Sequence, residues 1–231
     1  MGIINLTPDS FYDGGQIKSD RQLLSKVEAM LTAGADILDV GAYSSRPGAD
    51  DIPLETERST SVNGISLIVK EFSQAIVSVD TFRSEVANAA AQAGAKIIND
   101  ISGGDLDERM FDVVAALGLP YIMMHMRGNP KTMATLTTYD NLLEEVISSF
   151  RLKIARLRGK GVRDIIIDPG FGFAKTTEQN FELLNQLYLL QQLEVPVLAG
   201  VSRKSMIFKT LGNSATEALN GTTALNMASL I

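Results

Sequence analysis

Six apolar segments of the sequence end on a side chain that can form hydrogen bonds. These side chains are Asn5, Asp39, Asp80, Asn99, His125 and Asp168. A carboxylate that ends an apolar strand needs a partner, because burying a bare charge is costly. Any one of the six could be a structural cap, but the complete set predicts a ligand site. Carboxylates and amides with few nucleophiles suit the binding of a neutral heterocycle with many N–H groups better than acyl or glycosyl transfer.

Two further stretches could bind an anion. Ser202-Arg203-Lys204-Ser205 follows an apolar run and opens a helical pattern, whose backbone N–H groups and positive dipole end favour negative charge. Ser44-Ser45-Arg46-Pro47-Gly48 offers hydroxyls and a guanidinium in another loop. Each stretch alone indicates little, since a loop Lys or Arg is usually solvated. On one rim of a fold, together, they predict a phosphate or diphosphate ligand.

Short apolar runs alternate with longer amphipathic stretches along the chain. The predicted strands are 2–5, 36–40, 75–80, 96–99, 121–125, 164–168 and 195–199. The predicted helices are 21–33, 54–72, 84–93, 108–117, 141–158 and 177–193. This alternation is typical of βαβ units around a parallel sheet, in which all strand carboxyl ends open on one rim. The polar strand ends and the anion-directed stretches should therefore meet there.

A repeat within the sequence indicates a (β/α)8 barrel. Residues 33–40, Ala-Gly-Ala-Asp-Ile-Leu-Asp-Val, return at 93–100 as Ala-Gly-Ala-Lys-Ile-Ile-Asn-Asp, 60 residues later. That offset equals two βα units of about thirty residues, as expected for alternate strands of a TIM barrel. No linker marks a boundary, so we predict one α/β domain over residues 1–231. The sequence provides seven predicted strands and no eighth strand and helix, so we expect the barrel to be incomplete at its C-terminal end.

Composition excludes several other classes of site. The chain has 21 Lys+Arg against 27 Asp+Glu, a net charge of −6, which argues against nucleic acid or a membrane as partner. The absence of cysteine excludes disulfides and thiolate sites, and a single His excludes a zinc site of several imidazoles. No apolar run approaches ~18 residues and the start lacks a secretion signal, so a cytoplasmic protein is expected.

Seven blocks of the sequence resemble signatures of the dihydropteroate synthases, a family of pterin-binding barrels in folate biosynthesis. The blocks begin, in family order, at Gly2, Asp39, Ser78, Asn99, Met124, Asp168 and Ser202. The first reads Gly-Ile-Ile-Asn-Leu-Thr-Pro-Asp-Ser-Phe, and the sixth reads Asp-Pro-Gly-Phe-Gly-Phe. The resemblance therefore covers nearly the whole chain.

The resemblance implies a set of pterin contacts. Asp168 would accept the paired N–H groups of the aminopyrimidinone edge, and Asn99 would bind the neighbouring ring nitrogen and amino group with both halves of its amide. Asp80 would accept the N–H on the dihydropyrazine side, and Lys204 would donate to the pterin oxygen and a ring nitrogen. Met123 would touch the pterin face.

The resemblance also implies how the other groups are bound. Asn5 would help to hold Mg²⁺ with the diphosphate, while Ser45 and Arg46 would meet the diphosphate or shape the second-substrate pocket. The residues that would border 4-aminobenzoate are Phe173, Pro47 and Ser205, with Phe11 in the first loop. The family pattern further implies a homodimer.

The reaction implied is loss of diphosphate from (7,8-dihydropterin-6-yl)methyl diphosphate, followed by attack of 4-aminobenzoate on the methylene carbon. Asp80 would stabilise the cation on that carbon, while Lys204 and Arg46 would stabilise the leaving diphosphate. No protein nucleophile is needed, in agreement with a chain that has no cysteine.

The sequence departs from the family pattern at three places, and two alternatives stay open. Tyr43 stands where the family has an acidic residue, Ser45 stands where it has Thr, and the Arg-x-His pair of its final strand is not in the sequence. One alternative is a non-catalytic pterin-binding relative. The other is a methyltransferase that passes a methyl group from methyltetrahydrofolate to a corrinoid, which would not need Arg46 and Lys204 placed for diphosphate.

Overall fold

The fold is a parallel sheet whose strands alternate with helices. The computed structural model describes residues 1–6, 20–44 and 51–230. The six strands of the sheet in this part of the chain are β1 (Gly2–Asn5), β2 (Ile37–Gly41), β3 (Ile76–Asp80), β4 (Ile97–Asp100), β5 (Tyr121–Met124) and β6 (Ile165–Asp168). They lie side by side in chain order, and every neighbouring pair is parallel. This order is an arc of the barrel that the sequence predicts.

The helices follow the strands. The described helices are α1 (Asp20–Thr32), α2 (Leu54–Glu71), α3 (Ser84–Gln92), α4 (Met110–Leu117), α5 (Leu142–Gly159), α6 (Thr177–Asn185), α7 (Ser205–Leu211) and α8 (Leu219–Ala228). Their ends are set by local chemistry. The Asn141 side chain caps α5 by accepting from the Glu144 amide, and Thr176 with Gln179 forms a capping box at α6. No helix in the described part of the chain is long and apolar enough to cross a membrane.

Two predicted elements differ from the structure. The predicted strand 195–199 is reduced to one bridge between Ile167 and Val197, held by the Ile167 amide on the Pro196 carbonyl and the Leu198 amide on the Ile167 carbonyl. The predicted helix 177–193 is two elements in the structure. The α-helix α6 ends at Asn185, and a 3₁₀ segment, Leu187–Leu193, follows it. A second 3₁₀ segment, Met133–Thr135, precedes α5.

The two faces of the sheet have different chemistry. Residues that face the helices are apolar and fully buried, such as Ile4, Leu38, Val40, Val77 and Val79. Because alternate residues of a strand face opposite sides, the intervening positions point to the inside of the arc. Toward the carboxyl ends of the strands those positions include the polar side chains Asp39, Ser78, Asp80, Asn99 and Asp168. The apolar layer therefore stabilises the sheet and leaves its inner face to hold a site.

Candidate active site

The carboxyl ends of β2, β3 and β4 place a carboxylate and an amide side by side. Asp80 is the register partner of Asn99 on one side and of Gly41 on the other. A Cβ on Gly41 would lie 3.2 Å from Oδ2 of Asp80, so the glycine gives this carboxylate the room that it occupies. Burial and the neighbouring carboxylates Asp39, Glu57 and Asp100 raise the pKa of Asp80 well above its usual value.

The Asn99 side chain is hydrogen-bonded to Asp39 on the inner face of the sheet. Its Nδ2 donates to Oδ2 of Asp39 at 2.9 Å. Burial raises the pKa of Asp39 to about 6, and the negative charge of Asp168 adds to this, while the neighbouring Ser78 hydroxyl and the hydrogen bond from Asn99 oppose it. The end of the arc is therefore acidic, and it favours ligands with N–H groups or positive charge.

Asp168 ends β6 and forms the opposite wall of the site. Its Oδ1 accepts the Gly170 amide at 2.8 Å, and a Cβ on Gly200 would lie 3.6 Å from Oδ2, so the glycine leaves space beside that oxygen. Burial raises the pKa of Asp168, against the opposing positive charges of Lys204 and Lys175. This carboxyl has one oxygen fixed by the loop and a lysine close enough to balance its charge.

Lys204 is the residue before α7 and is fixed by the loop after β6. Its Nζ donates to the Phe171 carbonyl and lies 4.6 Å from the centroid of the Phe173 ring. Burial lowers the pKa of Lys204, while the charge of Asp168 opposes that shift. A cation over an aromatic ring is favourable, so Phe173 and Asp168 together hold this ammonium at the rim.

Lys175 is a further functional candidate that the sequence did not indicate. Its Nζ lies within hydrogen-bond distance of His125 Nδ1 and of the Gly170 and Phe173 carbonyls. Burial lowers the pKa of Lys175 to about 7. Burial and the charge of Lys175 also lower the pKa of His125 well below its usual value. His125 is thus a hydrogen-bonded core residue, the more ordinary of the two roles for a lone histidine.

The structure places Met123, which the sequence predicts at the pterin face, on the opposite face of β5 from Asp168. Met123 is fully buried in the main core cluster on the helix-facing side of β5, together with Phe111 and Phe150. Met124, its neighbour, is the register partner of Asp168 and packs in a second cluster with Phe173. The physical reason is the two-residue period of a strand, which turns adjacent side chains to opposite faces. Met124 is therefore the methionine beside the site.

Of the remaining predicted site residues, Ser205 and Asn5 lie in the part of the chain that the structure describes. Ser205 begins α7, next to Lys204, and Asn5 is exposed at the end of β1, the register partner of Gly41. Ser45, Arg46, Pro47 and Phe11 lie outside the described residues. In the Ser-Arg-Lys-Ser stretch the lysine bonds to the loop after β6, whereas Arg203 donates to the Ala215 and Thr216 carbonyls.

Tyr43, which stands where the family has an acidic residue, lies among the described residues. Its ring packs edge-on against Phe82 at 4.9 Å, and the Arg83 guanidinium lies 5.5 Å from its centroid. Arg83 also bonds to the buried Glu57 and to Asp51. The tyrosine thus belongs to a packed cluster beside the second loop rather than to the row of polar strand ends.

The fold and the site together define a class of protein, a parallel αβ barrel whose rim carries hydrogen-bond acceptors and a lysine suited to a small heterocycle rich in N–H groups. A family described as pterin binding enzyme matches residues 1–230. The dihydropteroate synthase of Synechocystis sp. is 45% identical over 213 residues, covering 91% of this chain and 73% of that protein.

Solved structures agree with this relationship. The dihydropteroate synthase of Yersinia pestis in complex with a sulfonamide drug superposes with a TM-score of 0.93 at 36% identity, covering 100% of this chain and 84% of that one. That of Xanthomonas albilineans with 4-aminobenzoic acid gives 0.90 at 37% identity, covering 99% and 82%. The chain belongs to the pterin-binding enzyme family and, within it, to the dihydropteroate synthases, transferases of folate biosynthesis. This confirms the family and the (β/α)8 fold class that the sequence predicts.

Proposed function

We propose that the chain condenses (7,8-dihydropterin-6-yl)methyl diphosphate with 4-aminobenzoate, giving 7,8-dihydropteroate and diphosphate. The observation that carries the proposal is the grouping of Asp80, Asn99, Asp168 and Lys204 at one end of the strands. These four side chains offer acceptors and donors in the alternating pattern that the edges of a pterin require.

Each of the four has a distinct role in pterin binding. Asp168 accepts two N–H groups from the aminopyrimidinone edge, a charge-assisted contact that is stronger than a neutral hydrogen bond. Asn99 contacts the adjacent ring nitrogen and amino group, and Asp80 accepts the N–H of the dihydropyrazine ring. Lys204 donates to the pterin oxygen and ring nitrogen from its place over Phe173. Met124 is the side chain that contacts the pterin face, in place of Met123.

The chemical step follows from the charges around this edge. The bond between the methylene carbon and the diphosphate oxygen breaks, and the diphosphate leaves with the electron pair. The positive charge on the methylene carbon spreads into the dihydropterin ring, where Asp80 and Asp168 stabilise it. The arylamine nitrogen then donates its lone pair to this carbon and loses a proton to solvent. Lys204 and Arg46 are the cations that stabilise the leaving diphosphate.

Mg²⁺ is the metal ion that the family implies, and the residues fit an ion carried in by the substrate. The described residues hold no group of three or more His, Asp or Glu side chains that could bind a metal ion. Asn5 is exposed at the rim and offers one amide oxygen. Mg²⁺ commonly keeps several waters and takes other ligands from substrate phosphates, so a single protein ligand suffices. When bound, the ion would neutralise charge on the diphosphate.

The second substrate would lie over the loop after β6. Phe173 lies under the Lys204 ammonium, Ser205 follows Lys204 at the start of α7, and Pro47 and Ser45 belong to the second loop. The Xanthomonas albilineans relative was solved with 4-aminobenzoic acid, which supports this substrate for the present chain. A homodimer, and one domain over residues 1–231, are parts of the same proposal, and sedimentation equilibrium tests the first of them.

The function is tested by diphosphate release and by the variant Asp168→Asn. The amide would place a donor against a pterin donor, and loss of a charge-assisted pair costs about 2–5 kcal/mol, so pterin binding should become undetectable by calorimetry. Asp164→Asn is the matched control, because Asp164 is an exposed carboxylate at the other end of the same strand. Unchanged pterin affinity in Asp168→Asn would remove Asp168 from the site. Pterin binding without diphosphate release would instead support the non-catalytic alternative.

A further inference from the structure

Asp39 is buried in the middle of β2, one layer below the site. It is 4% exposed, and its register partner on β3 is Ser78. Two residues later, Gly41 is the register partner of Asp80. Because residues two apart on a strand face the same side, Asp39 points to the inside of the arc beneath Asp80. It therefore lies next to the row of polar strand ends but deeper in the fold.

The carboxylate of Asp39 reaches Asn99 across an intervening strand. Asn99 is on β4, and the 2.9 Å bond from its Nδ2 to Oδ2 of Asp39 on β2 passes over β3. The small Ser78 side chain at this level of β3 leaves room for the contact. Asp39 and Asn99 also occupy equivalent positions in the sequence repeat at 33–40 and 93–100. The two copies of the repeat therefore meet through these two side chains.

This contact fixes which way the Asn99 amide points. An ionised carboxylate can only accept hydrogen bonds, and the Asn99 N–H that Asp39 accepts at 2.9 Å favours this ionised form. Rotating the amide by half a turn would bring its oxygen against a carboxylate oxygen, which is repulsive. The Asn99 nitrogen is therefore held toward Asp39, and its oxygen and second N–H remain for a ligand.

A purely structural role does not account for the carboxylate. Oδ1 of Asp39 and the hydroxyl of Ser78 are both buried, and neither makes a hydrogen bond of full geometry among the described residues, although Ser78 lies close enough to lower the pKa of Asp39. An unpartnered buried polar atom destabilises a fold, and a well-packed apolar side chain at the same place would avoid that cost. What an apolar side chain could not do is hold the Asn99 amide in one orientation.

We propose that Asp39 is a positioning residue for pterin binding, whose carboxylate orients the Asn99 amide so that it offers the pterin one acceptor and one donor. This inference rests on the proposed function, because it requires Asn99 to contact the pterin. Asp39 itself touches no substrate in this scheme and acts through Asn99.

A double-mutant cycle separates this role from a structural one. The variants are Asp39→Ala, Asn99→Ala and the double variant, and the measurement is the Kd of 6-hydroxymethylpterin by calorimetry at about pH 7.5. Loss of a charged hydrogen-bond partner should weaken binding by about 10- to 100-fold in Asp39→Ala. In the Asn99→Ala background the same change should have less than a roughly twofold effect, since no amide is left to orient.

Two outcomes of the double-mutant cycle would contradict two different claims. Equal losses in both backgrounds would overturn the inference, because Asp39 would then act independently of Asn99. No loss in Asn99→Ala would sink the proposed pterin contact of Asn99 itself, which is a different failure. If Asp39→Ala does not fold, Asp39→Asn replaces it, since asparagine keeps the side-chain shape and removes the negative charge. The two outcomes above are then interpreted in the same way.

Asp100→Asn is the matched control for burial of a carboxylate. Asp100 is 0% exposed, but it accepts from the Tyr121 hydroxyl, the Ser102 hydroxyl and the Gly104 amide, away from Asn99. We expect this variant to lower the thermal midpoint while leaving the Kd of the pterin within about twofold. A loss of pterin affinity as large as that of Asp39→Ala would show that any buried carboxylate near β4 has the effect, and would contradict the inference.

Discussion

The ammonium of Lys175 lies 3.2 Å from Nδ1 of His125 and bonds to two carbonyls of the loop after β6, those of Gly170 at 3.1 Å and Phe173 at 3.0 Å. One side chain thus joins the end of β5 to the segment that positions Lys204. Burial and the charge of Lys175 lower the pKa of His125, which favours a neutral imidazole whose Nδ1 can accept from Lys175.

Lys175→Met should impair the site without removing a substrate contact. The methionine fills a similar volume but leaves three acceptors without a donor, so the Phe171 carbonyl and the Phe173 ring lose their fixed place under Lys204. We expect kcat/KM to fall by about tenfold or more, as for other supports of active-site geometry. Steady-state kinetics measure this, with Lys209→Met, an exposed lysine of α7, as control. Unaltered kinetics in Lys175→Met would mean that the loop keeps its form without the ammonium.

The same lysine should make stability depend on pH. Its pKa falls from 10.5 in the unfolded chain to about 7 in the fold, so between these values the unfolded state binds a proton that the native state does not. Stability from this group therefore rises with pH from about 7 to about 10.5, by at most about 1.4 kcal/mol per pH unit. Urea unfolding of the native chain and of Lys175→Met at several pH values tests this. The difference between their free energies of unfolding should grow with pH in favour of the native chain; a constant difference would contradict the shift.

The sequence predicts the elements better than it predicts the contacts between them. Asp80, Asn99 and Asp168 could be predicted because the ends of parallel strands must share one rim. The contact between Asp39 and Asn99 could not, because it crosses a strand and depends on the small side chain of Ser78. The length of the seventh strand also depends on contacts between elements, and the structure pairs fewer of its residues than the sequence predicts. Its apolar residues at 195–199 fit a strand, yet only Val197 pairs with β6 in the structure.

Glycine at 170 is required for close packing as well as for backbone conformation. Its φ is +71°, and a Cβ there would lie 2.1 Å from the His125 carbonyl oxygen. Gly161 is the matched control, since its φ is +87° but nothing lies within 4 Å of an added Cβ. Gly161→Ala should cost only the backbone strain, about 1–2 kcal/mol. Gly170→Ala should cost clearly more in denaturant unfolding and should also raise KM for the pterin substrate, because the loop that bonds to Asp168 must shift. Equal losses of stability in the two variants would show that the contact with β5 is not tight.

The adjacent methionines of β5 give a test of which side faces the site. Met123 packs among helices and is fully buried, so Met123→Ala should destabilise the fold by about 2–5 kcal/mol and leave the Kd of 6-hydroxymethylpterin nearly unchanged. Met124 packs with Phe173 beside Asp168, so Met124→Ala should weaken pterin binding by about three- to tenfold through lost contact with the ring face. Calorimetry and thermal unfolding of both variants measure the two effects separately. Loss of pterin affinity in Met123→Ala, with unchanged affinity in Met124→Ala, would contradict this prediction. It would place the ligand on the helix side of β5, whereas the register of β5 and β6 places Met124 beside Asp168.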